Sequence, residues 1–192
     1  MSFYDELSKI DVDKFVSLVD SRTDADVERA IYKTTPRTVE DFAALISENA
    51  RKHYLDVMVQ EATQLTRKRF GRCVNMYLPL YLTNLCNNKC VYCGFSVMNK
   101  FKRVVLTMQE IEEEQQAMNK MGYTNNLLES GENSHRAGMP YFREVLPLTK
   151  KYADYLQMEV QPLETEEYAE LKTLGLDAVS VYQETYHPGC YK

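Results

Sequence analysis

Apolar residues recur at helical spacing up to about residue 70 and at strand spacing beyond it. Thr23 and Thr38 each stand three residues before an aspartate, Asp26 and Asp41, the hydroxyl-x-x-acid start of a helix. From about Glu48 to Phe70 a longer helix is expected. Its stripe of Tyr54, Val57, Met58, Ala62 and Leu65, with Glu61 among them, reads as core packing.

The pattern changes at Gly71. Val74 to Leu82 reads as a strand, with Pro79 marking an irregularity or an edge position. Thr107 and Glu110 form a capping box that opens a helix ending near Met121 and Gly122. Asn126 to Ser130 is a second strand. A helix follows from about Met139 to Tyr152, with Pro140 in its first turn and Pro147 expected to kink or split it. Leu156 to Val160 is a third strand, Thr165 to Leu174 a helix stopped by Gly175, and Asp177 to Tyr182 a fourth strand. Strands that alternate with helices imply parallel βαβ units. The expected class is α/β: a helical extension over 1–70, then about four βα units of a TIM-type (β/α) barrel over 71–192.

Composition narrows the class without naming a chemistry. The 192 residues are 44% hydrophobic and 27% charged, ordinary values for a globular chain. A net charge of -5 with no basic block argues against a general nucleic-acid binder. No apolar run approaches a membrane span, and the polar start of the chain lacks the features of a secretory signal. Five cysteines, three of them clustered, fit metal ligation in a reducing cytoplasm better than a disulfide framework.

The clustered cysteines carry the chemistry. Cys86, Cys90 and Cys93 are spaced C-x3-C-x2-C, with Tyr92 just before the third. Three close thiolates without an adjacent fourth ligand suit an iron–sulfur cluster with one iron left open. A zinc site completed by Cys73, Cys190 or one of the distant histidines His53, His135 and His187 is the alternative. Cys73 and Cys190 otherwise read as small core residues, and His135 as exposed. Active sites of parallel barrels form on the loops after the strands, and polar residues gather there. The cysteines follow strand one, Gly131 and Glu132 follow strand two, Glu159 and Gln161 end strand three, and the run from Gln183 to His187 follows strand four. Along strand three, Gln157, Glu159 and Gln161 alternate with Leu156, Met158 and Val160, so the polar set is expected to face the barrel interior.

These residues resemble a family. Cys86, Cys90, Tyr92 and Cys93 match the signature of radical S-adenosylmethionine enzymes. The longer runs Leu80–Cys86, Tyr92–Ser96, Gln157–Leu163 and Val181–His187 resemble its aromatic amino acid lyases, above all the tyrosine lyases of anaerobic thiamine synthesis. The resemblance implies a [4Fe–4S] cluster on Cys86, Cys90 and Cys93, with S-adenosyl-L-methionine as cofactor. It implies cleavage of the Cα–Cβ bond of L-tyrosine to 2-iminoacetate (dehydroglycine) and p-cresol, with an external electron donor and thiazole synthase as partners. It places Tyr92 near the adenine or substrate and Gly131 and Glu132 at the methionine amino group. Glu159, Gln161 and Gln183 would line the cavity. The related tyrosine lyase of hydrogenase maturation, and a non-catalytic half-domain binding a cluster or zinc, are the alternatives. Members of the lyase family are about twice as long, so the chain is expected to be an N-terminal half, either a fragment or one of two paired chains. The chain departs from the family pattern at Glu129, where an apolar residue is usual, and at Asn133, where histidine or serine is usual.

Overall fold

The computed structural model of the chain describes residues 3–181 together with Gln183, Glu184, Tyr186 and Gly189. It divides into two compact units, Met1–Cys73 and Val74–Lys192.

The first unit is helical: α1 (Phe3–Leu7), α2 (Val12–Asp20), α3 (Asp24–Ile31), α4 (Val39–Leu45) and α5 (Leu55–Phe70). Thr23 and Thr38 cap α3 and α4 through reciprocal bonds with Asp26 and Asp41. Val27, Ala30, Ile31, Ala44 and Ala50 form the core, against which Tyr54, Val57 and Met58 pack. The long helix expected from Glu48 runs on to Phe70, with a π turn over Ala50–Tyr54 leading into α5. Its stripe packs only as far as Met58: Ala62 and Leu65 are exposed, with no core residue of this unit opposite them.

The second unit is a four-stranded parallel sheet, β1 (Leu78–Thr83), β2 (Asn125–Ser130), β3 (Tyr155–Glu159) and β4 (Ala178–Val179), in that spatial order. Helices α6 (Met108–Lys120), α7 (Met139–Lys150) and α8 (Thr165–Thr173) make the crossovers. Consecutive order is that of a barrel wall wound in one direction, not of a doubly wound sheet, whose order reverses. Leu80, Leu82, Leu128, Leu156 and Met158 bury one sheet face against Ile111, Met118, Phe142, Val145, Leu146 and Leu171. Register places Tyr81, Glu129 and Glu159 side by side on the opposite face.

Several elements differ from the sequence pattern. Residues 74–77 lie outside β1 and are exposed. Pro79, without an N–H, sits on β1, an edge of the described sheet. Helix α7 runs through Pro147 as one element. Pro147 lies on its exposed face, where water reaches the carbonyl left without a donor. Strand β3 ends at Glu159, which leaves Val160 and Gln161 beyond it, and β4 is two residues long. Tyr182, expected to end strand four, lies outside the described residues. Among the described residues no helix is long and apolar enough to cross a membrane.

Candidate active site

The site begins where β1 ends. Register with β2 slips between Tyr81 and Thr83, and such a slip re-aims the chain at the end of a strand. The Thr83 hydroxyl donates to the Val104 carbonyl at 2.6 Å and accepts from the Leu85 N–H at 2.9 Å, which turns the backbone into the cysteine loop. Within the loop the amides of Asn88 and Phe95 point at the Cys86 and Cys93 sulfurs, each at 3.4 Å. N–H groups aimed at sulfur are outer-shell partners of the kind that orient metal-binding thiols. The loop is seated on the turn after β2. The Asn87 N–H donates to the Glu132 carbonyl at 3.0 Å, and the Asn133 side chain donates to Asn87 Oδ1 at 3.0 Å. Gly131 makes this close approach possible, since a Cβ there would lie 2.5 Å from the Leu85 carbonyl oxygen and 2.9 Å from Cys86 Cβ.

A cavity of about 560 Å³ opens over this seat. The three cysteines, Tyr92, Gly131, Glu132, Glu159 and Gln183 all line it. Its floor is the cross-strand row of Tyr81, Glu129 and Glu159. The Tyr81 side chain stands beside the Glu129 carboxyl across the strands, and Phe95 meets the Tyr81 ring edge-on at 5.7 Å. Burial lifts the Glu129 carboxyl above its ordinary range and the charge of Glu159 adds to that, while the adjacent Tyr81 hydroxyl works the other way. The neighbouring Glu129 charge, followed by burial, raises the Tyr81 phenol in turn.

The cysteines, Tyr92, Gly131, Glu132, Glu159 and Gln183 meet at this cavity as expected, but Gln161 and Gln157 do not. Gln161 is buried and turned away, with its amide donating to the Ala137 carbonyl at 2.9 Å, because the strand alternation that would have aimed it inward stops at Glu159. Gln157 lies at the other end of the sheet, lining a groove with Asn75, Asn125 and Tyr155. Cys73, expected in a core, is exposed, since the chain around it belongs to no strand. His135 is exposed, and His187 and Cys190 lie outside the described residues. Glu184, from the polar run after strand four, also lines the cavity; sequence reasoning gave no site role to Tyr81, Phe95 or Ser180 and read Glu129 only as a departure from the family pattern, yet these four line it too. Polar or aromatic residues alternating with the buried leucines of β1 and β2 are the signal that marks Tyr81 and Glu129.

Among the described residues no three His, Cys, Asp or Glu side chains converge as the ligands of one metal ion. A zinc ion needs such convergence, and Cys190 and His187, two of the groups that would complete it, lie outside the described residues. A cubane cluster does not need it, because each thiolate binds a different iron. Three half-buried cysteines facing one cavity, two of them with N–H groups at sulfur, fit the cluster.

Comparison with known proteins gives the same direction. The family model of the radical SAM superfamily matches residues 80–192. The chain is 47% identical over 190 residues to the 2-iminoacetate synthase of Escherichia coli strain K12, covering 99% of this chain and 50% of that protein. Identity to the Salmonella typhimurium 2-iminoacetate synthase is 46% over the same length and share. The chain thus spans about half the length of the curated relatives it matches. Among solved structures, the crystal structure of HydG, a maturase of the [FeFe]-hydrogenase, superposes with a TM-score of 0.84 at 26% identity, over 93% of this chain and 42% of that one.

Proposed function

The chain belongs to the radical SAM superfamily, and from that premise we propose that it carries the cluster-binding half of a tyrosine lyase of the 2-iminoacetate synthase type. The reaction would split the Cα–Cβ bond of L-tyrosine into 2-iminoacetate and p-cresol, and the imine would go to thiazole synthase for the thiazole of thiamine. Identity of 47% across nearly the whole chain supports this substrate over others in the superfamily. The observation that carries the reading is the single cavity shared by the three cysteines and polar groups from the loops after β2, β3 and β4.

In this reading Cys86, Cys90 and Cys93 hold a [4Fe–4S] cluster. With S-adenosylmethionine and an external one-electron donor, the cluster supplies the hydrogen-abstracting radical. The rest falls to the chain's own residues. Gly131 lets the cysteine loop seat closely, and Glu132 offers a carboxylate to an ammonium group such as that of methionine. Tyr92, exposed in the cavity, presents a ring on which a purine stacks. Glu159 and Gln183 supply acceptors for hydroxyl and amine hydrogens. Gln161 is left out, because its amide is committed to Ala137.

The test is anaerobic reconstitution of the 192-residue chain with iron and sulfide, followed by L-tyrosine, S-adenosylmethionine and dithionite. The expected result is a brown chromophore with p-cresol and 5′-deoxyadenosine by mass spectrometry, all lost in Cys93→Ala. A chromophore without either product would establish the non-catalytic, cluster-binding alternative. No chromophore, with Cys93→Ala behaving as wild type, would overturn the reading altogether.

A further inference from the structure

Arg103 has no place in the signature that marks the site, yet its guanidinium donates to four carbonyls in and beside the cysteine loop. Its Nη1 donates to the carbonyls of Asn84 at 2.6 Å and Phe95 at 2.8 Å. Its Nη2 donates to those of Ser96 at 2.6 Å and Asn99 at 3.1 Å. Asn84 precedes Cys86 in the chain, and the other three follow Cys93. One guanidinium therefore ties together both ends of the segment that bears the thiols. Its plane is fixed from outside by the Phe101 ring, whose centroid is 4.0 Å away. The strap containing Arg103 is itself anchored to the loop's start: the Val104 N–H donates to Asn84 Oδ1 at 2.8 Å, and Asn84 Nδ2 donates to the Lys102 carbonyl at 3.1 Å.

We propose that Arg103 is a positioning residue for the cluster: it closes the cysteine loop in the metal-free chain, so that three thiols are presented together before iron arrives. The physics is specific to arginine. Four carbonyl oxygens crowd one place, and their dipoles repel unless a cation stands among them. Guanidinium has five donors in a rigid planar fork and meets four acceptors at once. An ammonium is a compact point charge with three donors and cannot span both ends of the loop. Without the fork the loop recovers its chain entropy, and iron binding has to close it again.

The part of this inference that concerns iron rests on the cluster reading above; the loop closure does not, and the test separates them. In the full metal-free chain, Arg103→Gln is expected to speed amide hydrogen exchange over residues 84–99 by about tenfold or more, the scale of losing charge-assisted bonds. Amides of β2 and β3 should be unchanged, which shows that the fold survives. Arg103→Lys should fall between the two, because it keeps the charge and loses the fork. At limiting iron, Arg103→Gln should bind iron and sulfide on the order of 10–100-fold more weakly, as removal of outer-shell partners does. The electron paramagnetic resonance of any reduced cluster should broaden as the sulfurs lose a single arrangement. Unchanged loop exchange in Arg103→Gln, or full equivalence of Arg103→Lys with wild type, would overturn the proposal. Faster exchange with unaltered iron affinity would overturn its iron half alone. Should Arg103→Gln fail to fold, the comparison of Arg103→Lys with wild type decides it.

Discussion

Glu129 shows how much one side chain can carry in this site. It faces the cavity between Tyr81 and Glu159. Its folded carboxyl lies above its unfolded value, through burial first and the Glu159 charge second. A raised carboxyl contributes its stability in full below the ordinary glutamate pKa of about 4.3 and loses it as pH rises through the folded value. At neutral pH the desolvated Glu129 carboxyl is therefore a cost. Glu129→Gln keeps the shape and a carbonyl acceptor beside Tyr81. It is expected to melt higher than wild type at pH 7, with the gap closing as pH falls into the carboxylate range. Thermal unfolding of both chains across that range checks it, and a wild type more stable than the variant at pH 7 would refute it.

At the scale of elements, most of the second unit was legible because strand and helix signals agreed with local chemistry. The Thr107–Glu110 box is an example. Thr107 accepts from the Glu110 N–H, and the Glu110 carboxylate accepts the Thr107 N–H at 2.7 Å, opening α6 where the pattern placed it. Thr107→Ala is expected to cost about 1 kcal/mol, read as a lower urea midpoint at unchanged slope. What was not legible has a common cause: contacts distant in sequence decided it. Glu159 and Gln161 look equivalent in a period of two, but β4 pairs with only Gln157 and Met158, and the strand ends before Gln161. Pro147 reads as a break, yet α7 buries Phe142, Val145, Leu146 and Thr149 on one face and carries the proline on the other. The cysteines announced themselves by spacing. Tyr81 and Arg103 did not, because an aromatic in a strand and a basic residue in a loop are common until their partners are seen.

For the whole molecule, the division into units makes its own prediction. Residues 71–77 are exposed and belong to no helix or strand, and Arg72 lies among them. Trypsin is expected to cut there first and to leave a fragment starting near Cys73. That fragment holds the sheet, all three clustered cysteines and Arg103, so it should retain reconstituted iron; loss of iron on this single cut would show that the first unit is needed for the site. The same sequence order has a consequence in time. Arg103 lies ten residues past Cys93, whereas Glu132, on whose carbonyl Asn87 is seated, lies 39 past it. At a synthesis rate of about 5–20 residues per second, the loop can be clasped roughly 1.5–6 s before the turn that seats it has been made. If Arg103 closes the loop as proposed, the three thiols would for that interval be gathered before the turn that seats them exists, within reach of an iron donor or an oxidant.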